Sequence, residues 1–181
     1  MNIVVFGSQG SGKSTHAKYI AEKLDVPYIY TGDLFRELEK ENFPRGKKVK
    51  NLMRKGVLIP NEISIPAFEE YTRNYDISKG FVLDGYPRTL EQAKALKFKI
   101  NLIFYVRLPE NIAIARLIER KRYDDTYEVI KKRLGMFDKF TRPLFGYFKN
   151  QRVKIVEVDN SPSIEKVQRK IDGLLEKQAR N

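Results

Sequence analysis

The sequence predicts an α/β fold built on a central parallel sheet, and three observations carry that prediction. Five short apolar runs recur along the 181 residues, each the length of a strand covered on both faces. Helical patterns occupy the intervals between them, the alternation that joins parallel strands by crossovers. Hydrophobic residues make up 41% of the chain and charged residues 32%, enough apolar surface to bury one sizeable core.

The elements follow in order. "NIVVF" at 2–6 is the first strand, and a helix opens near Lys13. "VPYIY" at 26–30 is the second strand; residues 31–74 then carry helical patterns with no strand signal, as a helical insertion at the sheet edge would. "FVLD" at 81–84 is the third strand, followed by a helix after "PRT" at 87–89. "LIFYV" at 102–106 is the fourth, and a helix begins at Pro109, a residue suited to a first helical turn. A longer helix is expected from the aspartate pair, where Asp125 and Glu128 suit a capping box. "VKIVEV" at 153–158 is the fifth strand, and a last helix covers about 163–178. No internal repeat or Pro/Gly-rich linker divides the chain.

Composition narrows the chemistry. With no cysteine there is no disulfide framework, thiolate catalysis or cysteine-bound zinc. The single histidine, His16, argues against a His-rich metal centre. The apolar start is too short for a signal peptide and no stretch approaches a membrane span, so a cytoplasmic location and no membrane partner are expected. A net charge of +12 implies anionic partners, although a solvated lysine-rich surface accounts for it as simply.

"GSQGSGKS", Gly7 to Ser14, fits the phosphate-loop pattern G-x-x-x-x-G-K-[ST] in full. Glycines let backbone N–H groups approach phosphate oxygens closely, Lys13 reaches the β- and γ-phosphates, and the following helix N-terminus attracts the anion. A strand before and a helix after supply the context that the motif requires. Nucleotide binding follows, but a phosphate loop alone does not separate a kinase from a GTPase, a motor or a passive binder.

Two more stretches suggest a second phosphate site. "YTGDLFRE" follows the second strand and places Arg36 on a helix. "FVLDGYPRTLEQA" runs from the third strand through Asp84 and Gly85 to Arg88 and Gln92. Asp84 stands at the carboxyl end of a buried strand, where α/β sheets bind ligands; it could hold a water on Mg2+ or merely cap the next turn. Arg88 can fork onto a phosphate, and the Gln92 amide can pair with an adenine edge.

In "GSQGSGKST", "TGDLFR", "LDGYPRT…Q" and "YDD…KKRL", taken in order and spacing, the chain resembles the adenylate kinase family over nearly its whole length. The resemblance implies a P-loop NTPase three-layer fold, with a central parallel five-stranded sheet and a helical monophosphate-binding insertion. Residues 1–30 and 60–181 would form the core and 31–59 the insertion. It further implies reversible phosphoryl transfer from Mg-ATP to AMP, giving two ADP, with Mg2+ as cofactor and a monomeric protein; the lack of cysteine and the short lid described below leave no structural zinc expected. Gly10, Ser11, Gly12, Lys13, Ser14 and Thr15 would hold ATP, with Asp84 reaching Mg2+ through water. Thr31, Arg36 and Arg88 would hold AMP, Gln92 would read its adenine, and Val57, Leu58, Ile59 and Gly85 would line its site.

"RLIERKRYDD", residues 116–125, is the densest cation cluster. Arg116 and Arg120 share a helix face, Arg122 follows, and Arg133 lies between Ile130 and Phe137 on the apolar stripe of the next helix. A guanidinium there either meets a ligand anion or pairs with Asp124 or Asp125. Phosphoryl transfer supplies a reason for convergence, since charge spreads over three equatorial oxygens in the transition state. By the resemblance, Arg116 stacks on the ATP adenine; Arg120, Arg122 and Arg133, with Lys13 and Arg88, clamp the phosphates; and Asp124 and Asp125 fasten a lid.

The chain departs from the family in that lid. Only Lys121 stands between Arg120 and Arg122, where relatives place several to over thirty residues, so 119–123 is a vestige. Closure is then expected from the arginines and the insertion, with some hydrolysis of ATP in the absence of AMP. Ser14 fits the general motif's Mg2+ hydroxyl and Thr15 the family's, so both remain candidates. In "VDNSPS", residues 160–163 including Pro162 could hold the ATP adenine through backbone groups, or form an ordinary connecting loop. Rival readings are a kinase for CMP, UMP or dAMP, and a nucleic-acid-associated ATPase suggested by the charge; no aromatic-interleaved basic motif supports the latter.

Overall fold

The computed structural model describes residues 1–122 and 125–179. Asp124 and one position of the 119–123 segment lie outside the described residues. Strand β1 (Asn2–Phe6) is central, flanked by β3 (Phe81–Asp84) and β4 (Leu102–Arg107), with β2 (Tyr28–Tyr30) and β5 (Lys154–Asp159) at the edges. Every pairing is parallel; Val4 lies beside Leu83 on one side and Ile103 on the other.

The apolar run of β1 is continuous because both its faces are covered. Successive side chains of a strand point to opposite faces. Val4 and Phe6 enter one core, with Ile29, Leu83 and Ile103, under helices α2 (Thr31–Leu38), α3 (Pro44–Arg54), α4 (Asn61–Thr72), α5 (Leu90–Lys94) and α8 (Leu144–Asn150). Ile3 and Val5 enter the other, with Val82, Phe104 and Val158, against α1 (Lys13–Leu24) and α9 (Ile164–Ala179). These are the three layers that the family resemblance implies. Between β2 and β3 the described elements are helices alone.

Helices α6 (Glu110–Glu119) and α7 (Tyr127–Met136) pack through a smaller cluster of Leu117, Ile130 and Leu134. Two details of this region differ from the sequence reading. The cap of α7 is Thr126, whose hydroxyl accepts from Val129 N–H, and not Asp125. The Asp125 carboxylate is instead drawn inward, its side chain fully buried against arginines. The expected long helix also changes pitch: Phe137–Thr141 forms a π turn, closed by Arg142 N–H donating to the Phe137 carbonyl at 2.9 Å. Pro143 follows at once and supplies no N–H for a continuing α-helix. Such turns re-aim side chains, and here Phe137 and Thr141 both reach the cleft described next.

Candidate active site

The carboxyl ends of β1 and β3 open into a cleft of about 340 Å3, within the range of small-ligand sites. The phosphate loop forms one end of the cleft. Gly12 takes φ 84°, a left-handed conformation in which a side chain would be strained, and any Cβ there would collide with the Asn160 amide. The loop therefore passes directly over Asn160, and Lys13 begins α1.

Lys13 is enclosed by cations and one carboxylate. Burial lowers its ammonium below the usual 10.5, and Asp84 opposes that shift while Arg88 and Arg120 add to it. Asp84 is fully buried; its Oδ2 accepts from the Tyr28 hydroxyl at 2.9 Å, and its Oδ1 has no hydrogen-bond partner among the described residues. A buried carboxylate oxygen left without a donor is costly unless a cation or ordered water meets it. Ser14 and Thr15 line the cleft and offer hydroxyl oxygens suited to Mg2+, while Asp84 lies behind its wall and could reach such an ion only through water. Among the described residues, no group of three or more His, Cys, Asp or Glu side chains forms a separate metal centre.

Arg88 and Gln92 occupy the opposite wall. Arg88 donates from Nε to the Gly85 carbonyl at 2.8 Å, which fixes the guanidinium stem across the turn. Gly85, at φ 84°, would bring a Cβ to 2.7 Å from the Thr31 hydroxyl, so only glycine fits between them. Burial holds the Arg88 guanidinium below its ordinary value; Tyr30 and Asp84 act the other way, and Arg133 adds to the lowering. Gln92 is buried: Oε1 accepts from Arg88 N–H at 2.7 Å and Nε2 donates to Ser64 Oγ at 2.9 Å. Each end of the amide retains capacity for one further hydrogen bond.

Arg116, Arg120, Arg122 and Arg133 all line the cleft, so the cations that repel in sequence converge on one space. Asp125 supplies an anion to two of them, Arg120 and Arg133. It accepts from Arg120 Nε at 2.8 Å and Nη2 at 2.9 Å, and from Arg133 Nη1 at 3.1 Å. The pairing of Arg133 with an aspartate, one of two alternatives in the sequence, therefore holds for Asp125, while the arginine still faces the cleft. Its Nη2 reaches the Met53 carbonyl at the end of α3.

Gly10, Gly12, Lys13, Ser14, Thr15, Arg36, Val57, Leu58, Ile59, Gly85, Arg88 and Gln92 also line the cleft. Ser11, Thr31, Asp84 and Pro162 do not. Ser11 is buried beneath the loop; Thr31 is buried with its hydroxyl donating to the Asp84 carbonyl at 3.3 Å; Pro162 is exposed outside the cleft.

Among the lining residues not assigned to the site from the sequence are Tyr30, Phe137 and Thr141. Tyr30 lies against Arg36, whose guanidinium carbon is 5.2 Å from the ring centroid. Burial raises its phenol, but the Arg36 hydrogen bond and charge outweigh that and leave it below the ordinary 10.0. A phenol at the last position of a strand, where α/β sheets bind ligands, was a usable signal. Thr141 donates to the Arg88 carbonyl at 3.2 Å, and Phe137 stacks near Tyr105; both depend on the π turn, which no sequence pattern announced.

A family model described as adenylate kinase matches residues 5–153. Among curated relatives, an adenylate kinase of Cyanothece sp. is 38% identical over 170 residues, covering 88% of this chain and 87% of its own length. One from Archaeoglobus fulgidus is 33% identical over 215 residues, covering 98% and 99% respectively. One from Nocardia farcinica is 35% identical over 174 residues, covering 92% and 94%.

Proposed function

The chain belongs to the adenylate kinase family and is a nucleoside monophosphate kinase, and from that premise we propose that it transfers the γ-phosphoryl group of ATP to AMP, reversibly, giving two ADP. The observation that carries this reading is one cleft lined both by the phosphate loop and by Arg88 with Gln92, under a common roof of arginines. A site for one nucleotide would need only the first of these.

Residues 1–30 and 60–181 act as the core and 31–59 as the monophosphate-binding unit. The phosphate loop, with Lys13, takes the ATP phosphates, and Arg116 lies on the base side. Arg36 and Arg88 take the AMP phosphate; Gln92, with the backbone of Val57 to Ile59 and Gly85, takes its base. Thr31 serves from behind, holding the strand end through the Asp84 carbonyl.

In the transfer, an oxygen of the AMP phosphate bonds to the γ-phosphorus as the bond to the β,γ-bridging oxygen breaks, and that oxygen leaves on ADP. The attacking phosphate is already anionic, so no side chain has to remove a proton. Arg88, Arg120, Arg122 and Arg133, with Lys13, stabilise charge on the migrating group. The unpartnered Asp84 Oδ1 supports Mg2+ held through water, with Ser14 or Thr15 as the hydroxyl ligand. Bound with ATP, Mg2+ supplies neutralising charge to the phosphates.

The alignment with the Archaeoglobus relative spans 215 positions against 181 residues here, which supports a shortened segment in this chain. We assign the shortening to 119–123. Among the described residues no helix is long and apolar enough to cross a membrane.

The test incubates the protein with Mg-ATP and, separately, AMP, dAMP, CMP, UMP, GMP or no acceptor, beside a Lys13→Ala control. ADP appearing at twice the rate of AMP loss, with little product from the other acceptors, supports the proposal. Phosphate release that ignores the acceptor refutes it.

A further inference from the structure

We propose that His16 and Asn160 form a positioning pair that clamps the phosphate loop to the loop after β5, and so sets affinity for the triphosphate nucleotide without touching it. This rests on the assignment of ATP to the phosphate loop.

The pair links three parts of the chain that are distant in sequence. Asn160 Nδ2 donates to the Ser11 carbonyl at 2.6 Å, and Asn160 N–H donates to the Arg107 carbonyl at the end of β4, at 2.8 Å. His16 Nε2 lies 2.7 Å from Asn160 Oδ1. Both side chains are buried, at 1% and 4% exposure.

The directions of these bonds are fixed. Because Nδ2 donates to Ser11, Oδ1 is the acceptor, so His16 must carry its proton on Nε2. Its Nδ1 is buried and meets no hydrogen-bond partner among the described residues. A proton there would find no acceptor among the described residues, so the geometry favours the tautomer with its proton on Nε2. His16 is a neutral donor whose work is to orient one amide.

That amide orients the loop. A trans peptide points its C=O and N–H in opposite directions. Drawing the Ser11 carbonyl toward Asn160 turns the N–H of the same peptide, on Gly12, away from Asn160, and Gly12 lines the cleft. Packing alone does not require this arrangement, since an apolar pair would fill the space without burying an unpaired nitrogen. A buried amide between a histidine and a loop carbonyl supplies direction, which apolar contact does not.

The experiment measures KM for ATP and for AMP, and equilibrium ATP binding, for wild type, Asn160→Leu, His16→Phe and His16→Gln. Loss of one buried hydrogen bond corresponds to roughly tenfold in binding. Asn160→Leu and His16→Phe are expected to raise KM for ATP and the ATP dissociation constant about tenfold, leaving KM for AMP within twofold. His16→Gln, which keeps an N–H donor near the Nε2 position, should restore ATP binding to within about threefold of wild type. Equal rises in both KM values, unchanged ATP binding, or no rescue by glutamine would overturn the proposal. Should either apolar variant fail to fold, the His16→Gln arm still decides against the pair if it weakens ATP binding as much as tenfold. If wild type transfers nothing to AMP, the functional reading fails alone, because direct ATP titration still reports the pair.

Discussion

Arg133 donates from Nη2 to the main-chain carbonyl of Met53 at 3.2 Å, joining the arginine helix α7 to the end of α3. The same guanidinium donates to Asp125 and faces the cleft. If 119–123 is the shortened lid proposed above, no long segment would cover the transferring group, and this contact would help to draw the two proposed nucleotide sides together. Arg133→Ala is expected to lower kcat by about 10²–10³, comparable with removal of a preorganised charge-stabilising donor. It should also raise the ratio of ATP hydrolysis to transfer, read by separating ADP and phosphate from the two nucleotide products. A parallel fall in both rates would contradict the closure role.

Wild type itself should hydrolyse ATP slowly without AMP, because a short turn excludes water less completely than a long lid. The measurement is phosphate release in the no-acceptor reaction, with Lys13→Ala as background. If that release does not exceed the Lys13→Ala background, the idea is wrong.

Asp125→Asn removes the anion shared by Arg120 and Arg133. The carboxylate is fully buried while Arg120 keeps 33% exposure, so the loss is expected near the low end for a buried pair, about 3 kcal/mol. Thermal unfolding checks this. ATP should stabilise the variant more than wild type, since its phosphates return negative charge to the arginines.

Tyr28→Phe deletes the hydrogen bond that the Asp84 carboxylate accepts among the described residues and should cost about 1–2 kcal/mol of stability. Asp84 would then be free to rotate. The Mg2+ concentration giving half-maximal activity is expected to rise several-fold, while KM for AMP stays near wild type. An unchanged Mg2+ titration would separate Asp84 from the metal.

His16 gives a pH signature. Burial, the largest influence, lowers its imidazole below the ordinary 6.5; Arg116 on α6 adds to the lowering and the Asn160 bond opposes it. As pH falls through 6.5, the unfolded chain takes a proton that the folded chain refuses. Stability therefore falls as pH drops from 6.5 toward the depressed folded value, with a limiting slope of about 1.4 kcal/mol per pH unit. Above 6.5 the contribution is fully present. The difference between wild type and His16→Gln across pH 5–8, by thermal or denaturant unfolding, isolates this slope from the carboxylates.

Much of the cleft was legible because its residues carry their chemistry in short, local motifs. Gly7 to Ser14, Arg88 with Gln92, and Arg116 with Arg120 each span a few positions, and strand or helix periodicity fixes their facing. What failed to show was set by competition between distant groups. Asp125 would suit a helix cap in isolation, but Arg120 and Arg133 hold it inward, and Thr126 caps the helix instead. Thr31 stands in a motif that suggests a ligand contact, yet its hydroxyl is taken by the Asp84 carbonyl. Tyr28 and Tyr30 read as strand filler until β3 places Asp84 beside one and α2 places Arg36 beside the other.

The sequence by itself determined the parallel α/β layers, the phosphate loop and the set of cations that a phosphoryl-transfer site needs, because apolar period and motif spacing are properties of neighbouring residues. Only the folded chain shows which anion balances Arg133, that α7 gives way to a π turn at Phe137, and that His16 meets Asn160, 144 residues away. Buried hydrogen bonds are made by whichever donor and acceptor the fold brings within about 3 Å, and that proximity is written in no local stretch of the chain.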